Sequence, residues 1–291
     1  MMINIEKLNA FRVPSARQTL TPNDIALYAL SIGMGRDPLD REQLRFVDPL
    51  QGPAVMPAMV LVMAHPGFWM SDIESGIDPK NVLHASQGFE MLAALPSSGE
   101  VESHTQVTDV IDKGEGKAAL VLTETELRDE QGTLFARLNR TTYVRGGGGF
   151  GGSAGQSTPR AQPPQSDPDH IIDLTTGPEQ ALLYRLNGDL NPLHSDPELA
   201  ARAGFDRPIL HGLCTMGVVT HALLKVLAGY RPDRLRSVRL NFSKPVFPGE
   251  TICTELWNDG RFRARVVERD VMVVDGGQAD STETRTIATG G

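Results

Sequence analysis

Residues 213 to 228 read L-C-T-M-G-V-V-T-H-A-L-L-K-V-L-A. Apolar side chains fall on nearly every face of a helix drawn through this run, and Gly229 comes next as a stop. A helix without a wet face has to be wrapped by protein. Beyond Gly229 the chain alternates over 235–242, 251–258, 261–268 and 271–274, bounded by P-G, D-G and G-G turns. Residues 99–109, 117–128 and 133–144 alternate in the same way in the first half. A buried helix leading into an antiparallel meander predicts an α+β fold in which the sheet curls around the helix.

The two halves echo each other in order. Leu27-Tyr28-Ala29-Leu30 resembles Leu183-Tyr184-Arg185-Leu186, and Asp37-Pro38-Leu39-Asp40 resembles Asn191-Pro192-Leu193-His194. Ser98-Gly99-Glu100-Val101 resembles Pro248-Gly249-Glu250-Thr251, so the chain reads as a duplicated module with small insertions. Residues 146–170 are rich in Gly, Ser, Pro and Gln and read as a linker between a unit at 1–145 and a unit at 171–291.

Bulk properties exclude several classes. The chain has 291 residues, 28 Lys and Arg against 36 Asp and Glu, and a formal net charge of −8, which argues against nucleic acid as a partner. No apolar run approaches the ~20 residues that span a bilayer, so no membrane role is expected. The two cysteines, Cys214 and Cys253, support neither a disulfide framework nor a zinc site, and no H-E-x-x-H or C-x-x-C is present, so no metal is expected. The opening M-M-I-N-I-E-K lacks the apolar core of a leader, and the closing I-A-T-G-G matches no sorting address. The cytoplasm is the expected compartment.

Between Gly188 and His194, the run G-D-L-N-P-L-H gathers Asp189, Asn191 and His194 around Pro192. Glycine and proline together exclude regular helix, so the polar side chains project from a shaped loop. Asp with His is common material for moving protons near neutral pH, and the same residues also build plain surface turns. In the duplication register the first copy has Gly35, Asp37 and Asp40 at these places, so the acid–imidazole pair exists once. Further on, Pro208-Ile209-Leu210-His211-Gly212-Leu213 leads into the buried helix. Gly212 is then placed where helix N–H groups lack partners and an oxyanion can be held, or where the helix simply packs closely on the sheet. His211 reads as a loop-orienting or core histidine.

The run Y-R-L-N-G-D-L-N-P-L-H-S-D, with G-F-D-R-P-I-L-H-G-L-C-T-M-G after it, closely resembles the hydratase 2 motif of (R)-specific enoyl-CoA hydratases, members of the MaoC-like hotdog group. The likeness extends to F-S-K-P-V-F-P-G-E-T at 242–251, G-G-F-G-G at 148–152 and L-P-S-S-G-E at 95–100. It implies a double hotdog, each half a long helix wrapped by an antiparallel sheet, of the type found in the hydratase 2 unit of peroxisomal multifunctional enzymes. It also implies reversible hydration of trans-2-enoyl-CoA to (3R)-3-hydroxyacyl-CoA, a step of fatty acyl metabolism such as beta-oxidation. The roles it implies are Asp189 and His194 holding and activating water, Asn191 orienting the water or the Asp, and the Gly212 amide donating to the thioester carbonyl.

The substrate brings its own coenzyme A, and no further cofactor is expected. Lys244, Arg239 and Arg207 are the candidate contacts for its phosphates. The first half is expected to bind the acyl tail, with the Met-rich run 55–70 as either tunnel lining or core. A homodimer is compatible with the resemblance. The competing readings are a hotdog acyl-CoA thioesterase, disfavoured by the intact D-x-N-P-x-x-H beside H-G, and a non-catalytic acyl-CoA-binding module, which needs no acid–imidazole pair.

Overall fold

One order of elements is run through twice. The computed structural model describes residues 2–152, 162 and 164–282. The first unit comprises α1 (Ile5–Ala10), β1 (Ala16–Leu20), α2 (Pro22–Ser31), α3 (Arg41–Leu44), β2 (Val82–Met91), β3 (Gly99–Asp112), β4 (Ala119–Asp129) and β5 (Leu134–Val144). The second comprises β6 (His170–Thr175), α4 (Gln180–Tyr184), α5 (Pro197–Arg202), α6 (Gly212–Ala228), β7 (Leu235–Phe242), β8 (Thr251–Leu256), β9 (Arg261–Val266) and β10 (Val271–Ser281).

Among the described residues the ten strands form one antiparallel sheet in the order β1-β3-β4-β5-β2-β7-β10-β9-β8-β6. Each half repeats the same internal order, and β2 and β7 join them, with Gly88 opposite Arg239 and Phe89 opposite Val238. This is the double hotdog that the resemblance implies. The echoed tyrosines meet beside the junction: Tyr28 and Tyr184 are fully buried, edge to face, with ring centroids 6.1 Å apart.

Helix α6 is enclosed, as its composition requires. Twelve of its residues are buried, and it packs against β6, β7, β8 and β10. Gly229 ends it in the left-handed region at φ 54°, with its N–H on the Leu224 carbonyl. Close approach to α2 depends on Gly217, where an added Cβ would lie 2.5 Å from Ile32 Cγ2. The facing residues Leu240, Phe262, Ala264 and Val274 are apolar and buried.

The first unit departs from the expectation of a long helix in each half. Its counterpart of α6 is a single 3-10 turn, Pro57–Leu61, wedged between α2, β2, β5 and α6. The turn starts like α6: its cap Met56 has φ −64° and ψ 128°, and the α6 cap His211 has φ −59° and ψ 137°. It cannot continue, because Val60 and Val62 are stiff, Ala64 takes φ 44°, and Pro66 disfavours helix at the residue before it. The run from Val55 to Ala64 is core, with Met56, Val60 and Met63 among its buried members.

The glycine-rich stretch begins as structure rather than as linker. The Asp112 carboxylate accepts N–H groups of Gly114 and Gly149 at 2.8 Å and of Gly151 at 2.9 Å, which winds residues 146–152 onto the first unit. Side chains are excluded there, since a Cβ on Gly148 would meet the Gly114 carbonyl at 2.6 Å. Most of the remaining linker, 153–161 and 163, lies outside the described residues.

Candidate active site

The catalytic-loop candidates hang between α4 and α6. A 3-10 turn, Arg185–Asn187, closes on Gly188 at φ 111°, a left-handed angle that glycine adopts freely. The Asp189 carboxylate accepts the Asn191 N–H at 3.1 Å, and the Asn191 side-chain amide oxygen (Oδ1) accepts the Leu193 N–H at 3.0 Å, which starts the 3-10 turn Pro192–His194. Both side chains therefore shape the backbone, as the plain turn reading supposes. The loop so shaped then delivers His194 inward, where it is 8% exposed, while Asp189 stays exposed.

Hydrogen bonds assign each ring a tautomer. His194 Nδ1 lies 2.8 Å from the Ile209 carbonyl, which can only accept, so Nδ1 carries the proton and Nε2 presents a lone pair. His211 Nε2 donates to the Asp189 carbonyl at 3.2 Å, tying the start of α6 to the loop. The two imidazoles stack with centroids 3.7 Å apart and planes 29° apart. One side-chain atom each from Asp189, His194 and His211 lie within 4.8 Å of one another, a separation that one water bridges with two bonds of about 2.8 Å. These donors are also the group that could hold a metal ion.

Burial sets the charge state. It lowers the His194 pKa below the ordinary histidine value, against the Ile209 hydrogen bond and the Asp189 charge, which favour the cation. His211 is pushed down to about 4, by burial first and then by the adjacent His194. Both rings are neutral at pH 7, so the pair offers an acceptor nitrogen beside a carboxylate. Gly212 is the first residue of α6, where helix geometry leaves the N–H without an intrahelical acceptor, and the Phe242 ring lies 3.5 Å from where its Cβ would be.

Two family descriptions divide the chain: residues 159–278 match the MaoC like domain, and residues 19–146 match the MFE-2 hydratase 2 N-terminal domain. The chain is 41% identical over 263 residues to the 3-hydroxyacyl-thioester dehydratase Y of Mycobacterium tuberculosis, with 89% of each chain covered. The peroxisomal enoyl-CoA hydratase 2 of Arabidopsis thaliana is 37% identical over 294 residues, with 94% of each covered. The chain belongs to the hydratase 2 family of MaoC-like proteins. The crystal structure of a MaoC-like dehydratase from Phytophthora capsici superposes with a TM-score of 0.83 at 35% identity, covering 96% of this chain and 99% of that one.

Within this hydratase 2 chain the first unit has lost both halves of the site. Pro57 stands at the head of its turn where Gly212 heads α6, and proline has no N–H to donate. Asp40 closes the turn that His194 closes in the second unit, its N–H on the Asp37 carbonyl. It also caps α3 as Asp196 caps α5, so a single residue does the work of His194 and Asp196 together.

The first unit nevertheless faces the site. His65, His84 and Arg140 come from it, and the Arg140 and Asp189 charges feel one another. None of the three stands out in the sequence, where His211 too reads as merely structural. Only strand register could have revealed Arg140 and His84.

Of the phosphate candidates, Arg207 lines an open cleft of 620 Å³ with Phe247 and Arg269, and its guanidinium stacks 5.0 Å from the Phe247 centroid. Lys244 is exposed just past β7. Arg239 is exposed on the opposite face of β7 from buried Val238 and Leu240, so the structure does not bring it to the catalytic cluster. Among the described residues no helix is long and apolar enough to cross a membrane.

Proposed function

We infer that the chain catalyses the reversible addition of water to the 2,3 double bond of a trans-2-enoyl-CoA, giving the (3R)-3-hydroxyacyl-CoA. The observation that carries the reading is the convergence of the Asp189 carboxylate with the His194 ring, whose Nε2 keeps a lone pair, next to the N–H at the head of α6. The beta carbon is electrophilic only while the thioester carbonyl withdraws electrons, so that carbonyl needs a donor, and the Gly212 N–H is suited to it. Water between Asp189 and His194 loses a proton as its oxygen bonds to the beta carbon. The electron pair of the double bond moves onto the carbonyl as an enolate, and the alpha carbon takes a proton as the enolate collapses. Asn191 supports this by holding the loop.

Further parts of the reading are proposals of the same kind. The units divide near the glycine-rich run, the second carrying the chemistry and the first contributing the acyl side. Arg207 and Lys244 are the candidates for the coenzyme A phosphates, and no cofactor beyond the substrate's own coenzyme A is required. A reducing compartment such as the cytoplasm fits the two free, buried cysteines. Homodimer formation is supported by the exposed leucines Leu182, Leu186 and Leu190 along the catalytic segment, and sedimentation velocity tests it.

Following crotonyl-CoA by absorbance tests the activity. Loss of the enoyl absorbance without release of free thiol is expected. Thiol release would mean a thioesterase, and no change at all would mean a binding module.

A further inference from the structure

The acyl side of the site is not lined as an alkyl chain requires. Across β4, β5 and β2 the concave face is built of cross-strand rungs. Ala119–Val144–Val82 at one end and Leu127–Ala136–Met91 at the other are apolar. Between them lie Val121–Thr142–His84, Thr123–Arg140–Gln87 and the more apolar Thr125–Leu138–Phe89. In the second unit the corresponding strands β9, β10 and β7 carry apolar rungs such as Ala264–Val274–Phe242, with no charged group or imidazole among them; α6 packs on this face, where Thr254 on β8 is a buried hydroxyl. The strip lies on the unit whose helix is cut short to Pro57–Leu61, and it is open at Arg140, His84 and the exposed His65.

Two polar atoms on this strip are buried without a partner, Arg140 Nε and Thr142 Oγ1. Thr142 is fully buried, and it neighbours His84, whose Nε2 is held by the Gln87 amide oxygen at 3.0 Å. His84 in turn packs edge-on to Phe242 at 4.8 Å, and Phe242 flanks Gly212, so the strip runs up to the head of α6. A buried donor left unmatched is costly, and an alkyl tail laid over the half-buried Arg140 guanidinium would take its remaining N–H groups out of water without a partner as well. Burial lowers the Arg140 pKa only to about 10, so the guanidinium is charged at neutral pH, with Asp189 the carboxylate whose charge opposes that shift.

We propose that Arg140, with Thr142 and His84 beside it, is an oxygen-binding subsite on the acyl side of the active site, so that the preferred substrates are enoyl thioesters whose acyl group carries an oxygen function. The proposal rests on the hydratase reading of the same site. The shared chemistry is a hydrogen-bond-accepting oxygen, which a keto or hydroxyl group and a carboxylate both supply.

The test compares kcat/KM of the full chain for three enoyl-CoA esters matched in length: plain alkyl, keto- or hydroxyl-bearing, and carboxylate-ended. One oxygen-bearing ester should exceed the alkyl ester by about tenfold or more, the scale of a hydrogen bond to a charged group, and which ester does so identifies the source. In Arg140→Met that ratio should collapse towards unity, and Arg140→Lys should restore part of it. Circular dichroism and Tm show whether each variant folds, and Arg140→Gln and Thr142→Val replace any that does not. Equal rates on all three esters in the parent would overturn the proposal. So would an equal loss on all three in Arg140→Met, which would make the guanidinium a partner of Asp189 alone. Failure of the parent to hydrate any of them, crotonyl-CoA included, would instead overturn the hydratase reading.

Discussion

His194 can act as a base because its other nitrogen is committed. With Nδ1–H on the Ile209 carbonyl, Nε2 keeps its lone pair, the ring feels the nearby Asp189 charge, and burial holds it neutral. Asp189→Asn preserves the oxygen that accepts the Asn191 N–H and so keeps the turn, while removing the charge. It should lower kcat by about 10²-fold or more, the scale of lost general base catalysis, with little change in Tm. His194→Gln should do the same, and near-parental turnover by either variant would refute the assigned roles. The lowered His194 pKa sets the pH profile: kcat/KM should hold from neutral pH down through the usual histidine range and fall only below it. His211 makes stability depend on pH with a definite sign. Its folded pKa, about 4, lies below its ordinary value, so between the two the unfolded chain binds more protons, and stability is lost as pH falls through that window. Thermal unfolding of the parent and of His211→Gln across this range checks it, the variant being the less pH-sensitive.

At the scale of elements, the two units show how one arrangement diverges. Asp40 caps α3 through the Glu42 and Gln43 N–H groups, as Asp196 caps α5. Asp40→Ala should therefore cost about 1 kcal/mol of stability, typical of a lost cap, and leave kcat close to the parental value. Differential scanning calorimetry with the crotonyl-CoA assay separates the two effects, and a large fall in kcat would mean that the first unit takes part in the chemistry. The boundaries of α6 and β7 were legible because a fully apolar helix with a terminal glycine and a cleanly alternating strand each obey one period. Strand β2 was not, because its inward rungs carry His84 and Gln87, which breaks the alternation that marks a core-facing strand. The missing first-unit helix was equally hidden: run 55–70 is as apolar as a buried helix, and composition alone does not show that its turn ends at Leu61.

The whole molecule depends on its central seam. β7 pairs with β2 on one side and β10 on the other, and α6 packs against the first-unit turn Pro57–Leu61. Residues 164–291 expressed alone should expose the β7 edge and the α6 face covered by Ile32 and Tyr28, and should aggregate without hydratase activity. A folded, active half would contradict this. The cluster of Asp189, His194 and His211 has metal-ligand character, so dialysis against a chelator is informative. The water-activation reading expects the hydration rate to survive it unchanged.

By itself the sequence determined the fold class, the duplication and the acid–imidazole loop, because each is written in local signals: a one-period helix, alternating strands, and a glycine–proline loop with three polar residues. Tertiary structure alone decided what faces that loop. Arg140 and His84 lie far from Asp189 along the chain and reach it through β5 and β2, whose register is set by strand pairing across the sheet. Burial, which makes His194 and His211 neutral and leaves Arg140 Nε without a partner, is a property of the assembled core, and no short stretch of the chain encodes it.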